Sequence, residues 1–175
     1  MARYRRKYIA GGRYFFTVNL ARRSDTILVD HIDLLRQAYM DTVRDMPLTC
    51  DAMVVLPDHL HAVWTLPAHD SDFSERWRLI KFRFSRALGQ TRARSASKHA
   101  KRECGIWQRR FWEHAIWDEA DYMAHMRYCW FNPVKHGFVR RAADWPYSSL
   151  HRDIRAGRVA ADWVGDFDEG DFGER

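Results

Sequence analysis

Apolar and polar positions along the chain alternate in some stretches and recur at intervals of three and four in others, and the change of period marks the elements. Residues 12 to 21, GRYFFTVNLA, alternate and are rich in β-formers, which predicts a first strand after a Gly-Gly break. In DTILVDHIDLLRQAYMDTVRDM, Ile27, Ile32, Leu35, Ala38 and Val43 fall at helical spacings and predict a helix from about residue 30. TCDAMVVLPDHLHAVWTLP then reads as two short strands joined at Pro57-Asp58, the composition of a tight turn. SERWRLIKFRFSRALG predicts a second helix, with Ser74 as N-cap, Trp77, Ile80, Phe84 and Leu88 on one face, and Gly89 at its end. GIWQRRFWEHAIW alternates enough to be a last strand. DEADYMAHMRYCWF has acids in its first turn and predicts a helix ending near Asn132, because the residue before proline avoids the α region. The order β-α-β-β-α-β-α predicts an α+β fold: one antiparallel sheet with helices packed on one or both faces, close to the ferredoxin-like βαββαβ plan.

Composition narrows the class. At 175 residues the chain suits one domain, residues 1 to 165, followed by an acidic tail at 166 to 175. The N-terminus lacks the apolar core of a signal peptide, and no apolar run reaches the roughly 18 residues of a membrane span, so a cytoplasmic protein with no membrane partner is expected. Cys50, Cys104 and Cys129 are scattered without CxxC pairing and read as reduced packing thiols. The net charge of +6 conceals an asymmetry, since the last 15 residues carry a net −5 and the other 160 therefore +11. Residues 1 to 23 hold seven basic side chains and no acid; residues 74 to 110 hold twelve against two. Aromatics interleave with them, as in RYRRKYIAGGRYFF and RWRLIKFRFSRAL, a pattern that suits a phosphate backbone with bases stacked on exposed rings, and equally a solvated basic face over an ordinary core. QTRARSASKHAKRECG, residues 90 to 105, reads as an exposed basic loop.

The strand VVLPDHLHAVWTLP raises the chemical question. His59 and His61 project from one face while Leu60, Ala62 and Trp64 project from the other, so the two imidazoles can share a metal ion. A bare His-x-His is also what two surface histidines over an apolar face look like, and only a third ligand separates the two. The last helix offers one: Tyr128 and Asn132, four apart, share a face, and Asn132 brings an amide oxygen. Such a site leaves positions open for phosphate oxygens, which would favour Mg2+ or Mn2+ by availability. The histidine face is then expected to be a site looking across at Tyr128 and Asn132 and not core.

VVLPDHLHAVWTLP, RWRLIKFRFSRAL, GIWQRRFWEHAIW, NPVKHGFV and DWPYSSLHRD, in this order between about residues 3 and 166, resemble the REP-associated tyrosine transposases, a branch of the single-tyrosine HUH transposases. The resemblance implies an HUH nuclease fold that cuts and rejoins single-stranded DNA at repetitive extragenic palindromic hairpins. It implies a divalent cation held by His59, His61 and Asn132, and Tyr128 as the nucleophile that forms a 5′-phosphotyrosine and frees a 3′-hydroxyl. YCWFNP stands where the family more often has Tyr-Ile-His-Tyr-Asn-Pro, so Trp130 replaces a frequent histidine. Glu113, His114 and His125 are candidates for supporting positions; on a strand Glu113 and His114 face opposite ways, so at most one joins the site directly. His136 is expected to be structural.

The resemblance also implies that a hairpin and a short single-stranded tetranucleotide beside it are read; Arg3, Arg5, Arg6 and Lys7 in the N-terminal arm are expected to do so, and Arg76, Arg78, Lys81, Arg83 and Arg86 on the second helix to hold phosphates. The site is expected to be complete within one chain, a monomer, the alternative being a dimer that exchanges the tyrosine helix. The competing reading is a non-catalytic DNA or RNA hairpin-binding protein with a vestigial metal site. A zinc hydrolase or nucleobase deaminase is poorly supported, because the His-x-Glu and Pro-Cys-x-x-Cys elements that a deaminase needs are absent. The acidic tail is expected to lie across the basic groove in the absence of DNA. Deleting residues 166 to 175 should therefore tighten binding of a hairpin oligonucleotide at low salt, as measured by fluorescence anisotropy, and the gain should shrink as salt screens the tail.

Overall fold

The computed structural model describes residues 6–89 and 105–165. Arg3 and Arg5 of the arm, the basic stretch 90–104 with Cys104, and the acidic tail at 166–175 lie outside the described residues. In chain order the elements are β1 (Arg13–Asn19), α1 (Ile27–Asp30), α2 (Ile32–Asp45), β2 (Thr49–Val55), β3 (His59–Thr65), α3 (Phe73–Leu88), β4 (Trp112–Ala115), α4 (Glu119–Lys135), a 3-10 turn (Ala142–Asp144) and α5 (Leu150–Arg155). The strands form one antiparallel sheet in the order β2-β3-β1-β4, the ferredoxin-like arrangement that the alternation of strands and helices predicted. No helix among the described residues is long and apolar enough to cross a membrane.

Both faces of the sheet are covered, and strand periodicity assigns the residues to each. Tyr14, Phe16 and Val18 of β1 and Leu60, Ala62 and Trp64 of β3 join Leu35 and Ala38 of α2 and Phe73, Trp77, Ile80 and Phe84 of α3 in one core. Phe15 of β1, Ala52 and Val54 of β2 and Val63 of β3 join Met126, Tyr128, Cys129 and Trp130 of α4 in the other. The first core is held by close ring contacts, with Trp64 and Trp77 stacked at 4.2 Å between centroids and 14° between planes.

Three predicted boundaries move. Asp72, not Ser74, caps α3, its side chain accepting from the Glu75 N–H at 2.9 Å, because the buried Phe73 already belongs to the helix; the Ser74 hydroxyl instead accepts from Arg6. Of GIWQRRFWEHAIW, Trp112–Ala115 forms a strand, while Ile106 and Gln108 pair with the end of β1 through single backbone bonds and the polar residues between leave the ladder.

The third change concerns α4, which passes through Pro133 and ends one turn later at Lys135. The proline costs the backbone one donor and disfavours the helical conformation at Asn132, yet both residues are buried and tertiary packing overrides the local preference. The true stop is Gly137, at φ 71°, where its N–H donates to the Val134 carbonyl at 2.9 Å and the Phe138 N–H donates to Pro133 at 2.9 Å. This pair of bonds is the Schellman closure, which needs a left-handed residue at that point. Nothing lies within 4 Å of the position a Cβ would occupy there, so the penalty of substitution is backbone conformation alone. Gly137→Ala should destabilise the protein by about 1 kcal/mol, lowering Tm in a calorimetric scan by roughly 2–4 °C.

Candidate active site

β3 lies between β2 and β1 under helices on both sides, so its residues from His59 to Trp64 are buried, including both histidines at 1% and 0% exposure. The expectation that the histidine face is not core is therefore corrected: it looks toward Tyr128 as expected, but α4 covers it and the imidazoles lie inside the molecule. Each is held through Nδ1. That of His59 is hydrogen-bonded to Asp58 Oδ1 at 2.6 Å, and Asp58 Oδ2 in turn meets Arg23 Nε at 2.9 Å. The Nδ1 of His61 pairs with Thr17 Oγ1 at 2.9 Å, across the register that sets Thr17 opposite His61. The two rings stand 5.0 Å apart and nearly perpendicular. Burial is the largest influence on His59 and holds its pKa below the ordinary imidazole value, against the opposite pull of the Asp58 carboxylate. It is thus the neutral ring, able to offer a lone pair, that the fold favours.

α4 presents a polar stripe to this face. Asp121, His125, Tyr128, Asn132 and Lys135 follow one another at intervals of three and four residues, a helical face that would ordinarily be apolar. The Tyr128 ring packs edge-on against His61 at 5.2 Å, and His136, one residue past the helix, packs against His59 at 5.2 Å. Asn132, completely buried, occupies the turn between them. The Lys135 Nζ donates to the Tyr128 hydroxyl oxygen at 3.0 Å and lies 4.7 Å from the ring centre. Lys135 was missed in the sequence; its position two turns after Tyr128 on the same stripe was the available signal.

The supporting candidates separate as the strand alternation required. Glu113 faces away from the histidine pair, buried on the α3 side, with Arg6 Nε 3.3 Å from its carboxylate. Its expected support of the histidine site is withdrawn, since strand pleating sends it to the opposite face. His114 and His125 lie on the α4 side, where Asp121 Oδ2 is 2.9 Å from His114 Nε2 and Asp121 Oδ1 is 3.0 Å from His125 Nδ1. Burial lowers the His125 pKa. Phe15 connects this cluster to the first, its ring 4.7 Å from His125, 5.4 Å from His61 and 5.8 Å from Tyr128.

The basic residues also divide. Arg76, expected to face phosphates, is wholly buried: its guanidinium donates to the carbonyls of Met46, Pro47 and Asp72 and to Asp70 Oδ2 at 2.6 Å, tying the end of α2 to the start of α3. Arg83 is committed to Asp45 and Thr42 of α2. Arg78 pairs with Glu75 on the surface, and Arg86 is exposed. Lys81 donates to the Gln108 carbonyl at 3.0 Å near the rings of Trp107 and Phe111. In the arm, Arg6 lies over Phe111 at 4.2 Å and Lys7 over Trp117 at 4.1 Å. Arg6, Arg78, Lys81, Phe82, Trp107 and Arg109 are among the residues lining a cavity of about 500 Å³ on this side of the sheet, opposite the histidines.

A four-stranded antiparallel sheet in this order, with helices on both faces and a His-x-His strand packed against a helical tyrosine, defines an α+β protein of ferredoxin-like topology with a histidine-tyrosine centre. No protein-family model matches the chain. It is 46% identical, over all 175 residues and 98% of the relative's length, to the REP-associated tyrosine transposase of Escherichia coli (strain K12). A chain of Haemophilus influenzae (strain ATCC 51907 / DSM 11121 / KW20 / Rd) is 43% identical over 169 residues, which span 96% of each. A solved structure of a REP-associated tyrosine transposase bound to a REP hairpin superposes with a TM-score of 0.89 at 46% identity, covering 100% of this chain and 98% of that one. The chain belongs to the REP-associated tyrosine transposases and is by that membership a tyrosine transposase.

The burial of Arg76 gives it a structural role. Removing its guanidinium leaves three carbonyls without their donor while Asp70, 30% exposed, turns to solvent, so Arg76→Ala should cost about 2–3 kcal/mol in urea unfolding. Arg78→Ala, on the surface, should change stability by less than about 0.5 kcal/mol.

Proposed function

We propose that this transposase cleaves and rejoins single-stranded DNA beside REP hairpins through Tyr128, which takes the 5′-phosphate. The observation that carries the reading is the convergence of buried Tyr128, His61 and His59 between β3 and α4, with the exposed Lys135 reaching the tyrosine oxygen from the rim. The donor set suits a divalent cation: two imidazoles each fixed through Nδ1, as ligating histidines usually are, and a buried amide oxygen on the facing helix. His59, His61 and Asn132 would hold it, Mg2+ or Mn2+, and bound there it would neutralise charge on the scissile phosphate.

The chain's own residues do the rest. A phenol is a weak nucleophile near neutral pH, so its oxygen must be oriented and its developing charge balanced. Packing against His61 and Phe15 fixes the ring, and the Lys135 ammonium holds the oxygen at 3.0 Å. As the tyrosine oxygen bonds to phosphorus, its proton is lost to solvent, the bond from phosphorus to the 3′-oxygen breaks, and that oxygen takes up a proton. The phosphodiester energy is kept in the phosphotyrosine, so attack by another 3′-hydroxyl restores a DNA strand without ATP.

For the substrate, the arm and α3 offer Arg6, Lys7, Arg78, Lys81 and Arg86 to phosphates and the cavity rings to unpaired bases. Because that cavity and the tyrosine lie on opposite faces of the sheet, DNA engaging both would pass round the β4 edge, where the arm is docked.

Labelled REP hairpin DNA carrying a single-stranded flank, incubated with Mn2+, should yield a protein-DNA adduct on a denaturing gel, and Tyr128→Phe should yield none. No adduct from the wild type would leave hairpin binding as the function, and an equal adduct from Tyr128→Phe would overturn Tyr128 as the nucleophile. Lys135→Gln should slow adduct formation about 100-fold while changing hairpin affinity by less than about threefold. Losses of affinity and rate in equal measure would instead make Lys135 a DNA contact.

A further inference from the structure

Besides the His59 and His61 pair, the structure gathers His114 of β4 with Asp121 and His125 of α4, each offering a ligand atom within 4.8 Å of the other two. We propose that this triad is a second metal site, for a first-row transition cation of the zinc class, separate from the ion that serves cleavage.

The geometry carries the proposal. Zinc and its neighbours bind imidazole nitrogen and carboxylate oxygen at about 2.0–2.2 Å, which sets adjacent donor atoms roughly 3.0–3.5 Å apart. Asp121 Oδ2 lies 2.9 Å from His114 Nε2, and Asp121 Oδ1 lies 3.0 Å from His125 Nδ1. Two donor pairs already stand at nearly the separation an ion imposes. The imidazoles are stacked, 4.7 Å between centroids and 18° between planes, so their edges turn toward the one carboxylate from the same side. Side-chain exposures of 31% for His114 and 22% for Asp121 leave an entry path, while His125 at 7% forms the floor.

The donor set selects the ion. Two neutral imidazoles and one carboxylate suit zinc, nickel or cobalt better than magnesium, which prefers oxygen. The metal-free cluster is held by hydrogen bonds, including one between His125 Nδ1 and the Asp121 carbonyl at 2.8 Å. Binding exchanges that bond for a metal bond, with the ring proton moving to Nε2. Three ligands leave further positions for water.

The consequence is mechanical. His114 sits on the edge strand, and His125 lies one turn before Tyr128, so an ion here clamps β4 to the helix that carries the nucleophile. Bound zinc should raise Tm, because it binds the folded chain alone.

The test is equilibrium dialysis of the full chain against Zn2+ at neutral pH, without DNA. H59A/H61A should retain one zinc per chain, and adding H114Q/H125Q should abolish it, with circular dichroism confirming the fold. Asp121→Asn should weaken zinc at least tenfold in the H59A/H61A background. The proposal is overturned if folded H59A/H61A binds no zinc, or if H114Q/H125Q leaves its zinc in place. Should a variant not fold, wild-type crystals soaked in zinc decide the matter: an anomalous peak among His114, Asp121 and His125 is expected, and none there with a peak at His59 and His61 overturns it.

Discussion

The packing of α4 across β2 and β3 is the constraint on which the site depends, and the fully buried ring of Phe15 reaches that interface from β1. That ring touches His61 on β3 and both His125 and Tyr128 on α4. A helix packed on a sheet ordinarily buries an apolar stripe. Here the stripe is polar: the imidazoles are oriented within the sheet and the tyrosine within the helix, while ring contacts and the His114–Asp121 pair join the two layers. Asp58 and Thr17 orient the imidazoles from the sheet side, and Lys135 holds the tyrosine oxygen from the helix side. The opposite core is built of large rings, with Arg76 and Glu113 as buried charges at its margins.

The same logic explains how a strongly basic chain sorts its cations. Moving a guanidinium out of water costs several kcal/mol unless its donors are satisfied, and Arg76 meets three carbonyls and a carboxylate where α2 ends and α3 begins. It acts as a covalent-like tie between two helices. Arg83 does similar work one face round, while Arg78 and Arg86 stay in solvent. The +11 charge of the first 160 residues therefore overstates the cations that a nucleic acid can reach. Glu113 belongs to the same sorting: buried behind β4, it anchors the docked arm through Arg6 and plays no part on the histidine face.

The passage of α4 through Pro133 matters because it extends the polar stripe. Had the helix stopped at Asn132, as the local preference of the residue before proline favours, Lys135 would not stand above Tyr128, nor His136 beside His59. Burial of Asn132 and Pro133 holds the helical path, and the left-handed turn at Gly137 ends it. A single turn beyond the expected boundary thus brings a cation to the tyrosine.

The sequence alone determined what depends on local period and spacing. Alternation and helical repeats yielded the order of strands and helices, and the His-x-His and Tyr-x3-Asn spacings put two imidazoles on one strand face and a tyrosine and an asparagine on one helix face. Its family motifs pointed to the transposases. What tertiary structure decided were matters of partner and burial, which no spacing encodes: that the histidine face lies beneath a helix, that Arg76 is inside, and that Asp72 outcompetes Ser74 as a cap. It also decided that the turn from β4 into α4 folds His114 back onto Asp121 and His125. Each of these outcomes turns on which surfaces are excluded from water when elements distant in sequence pack together, and that desolvation exists only in the folded protein.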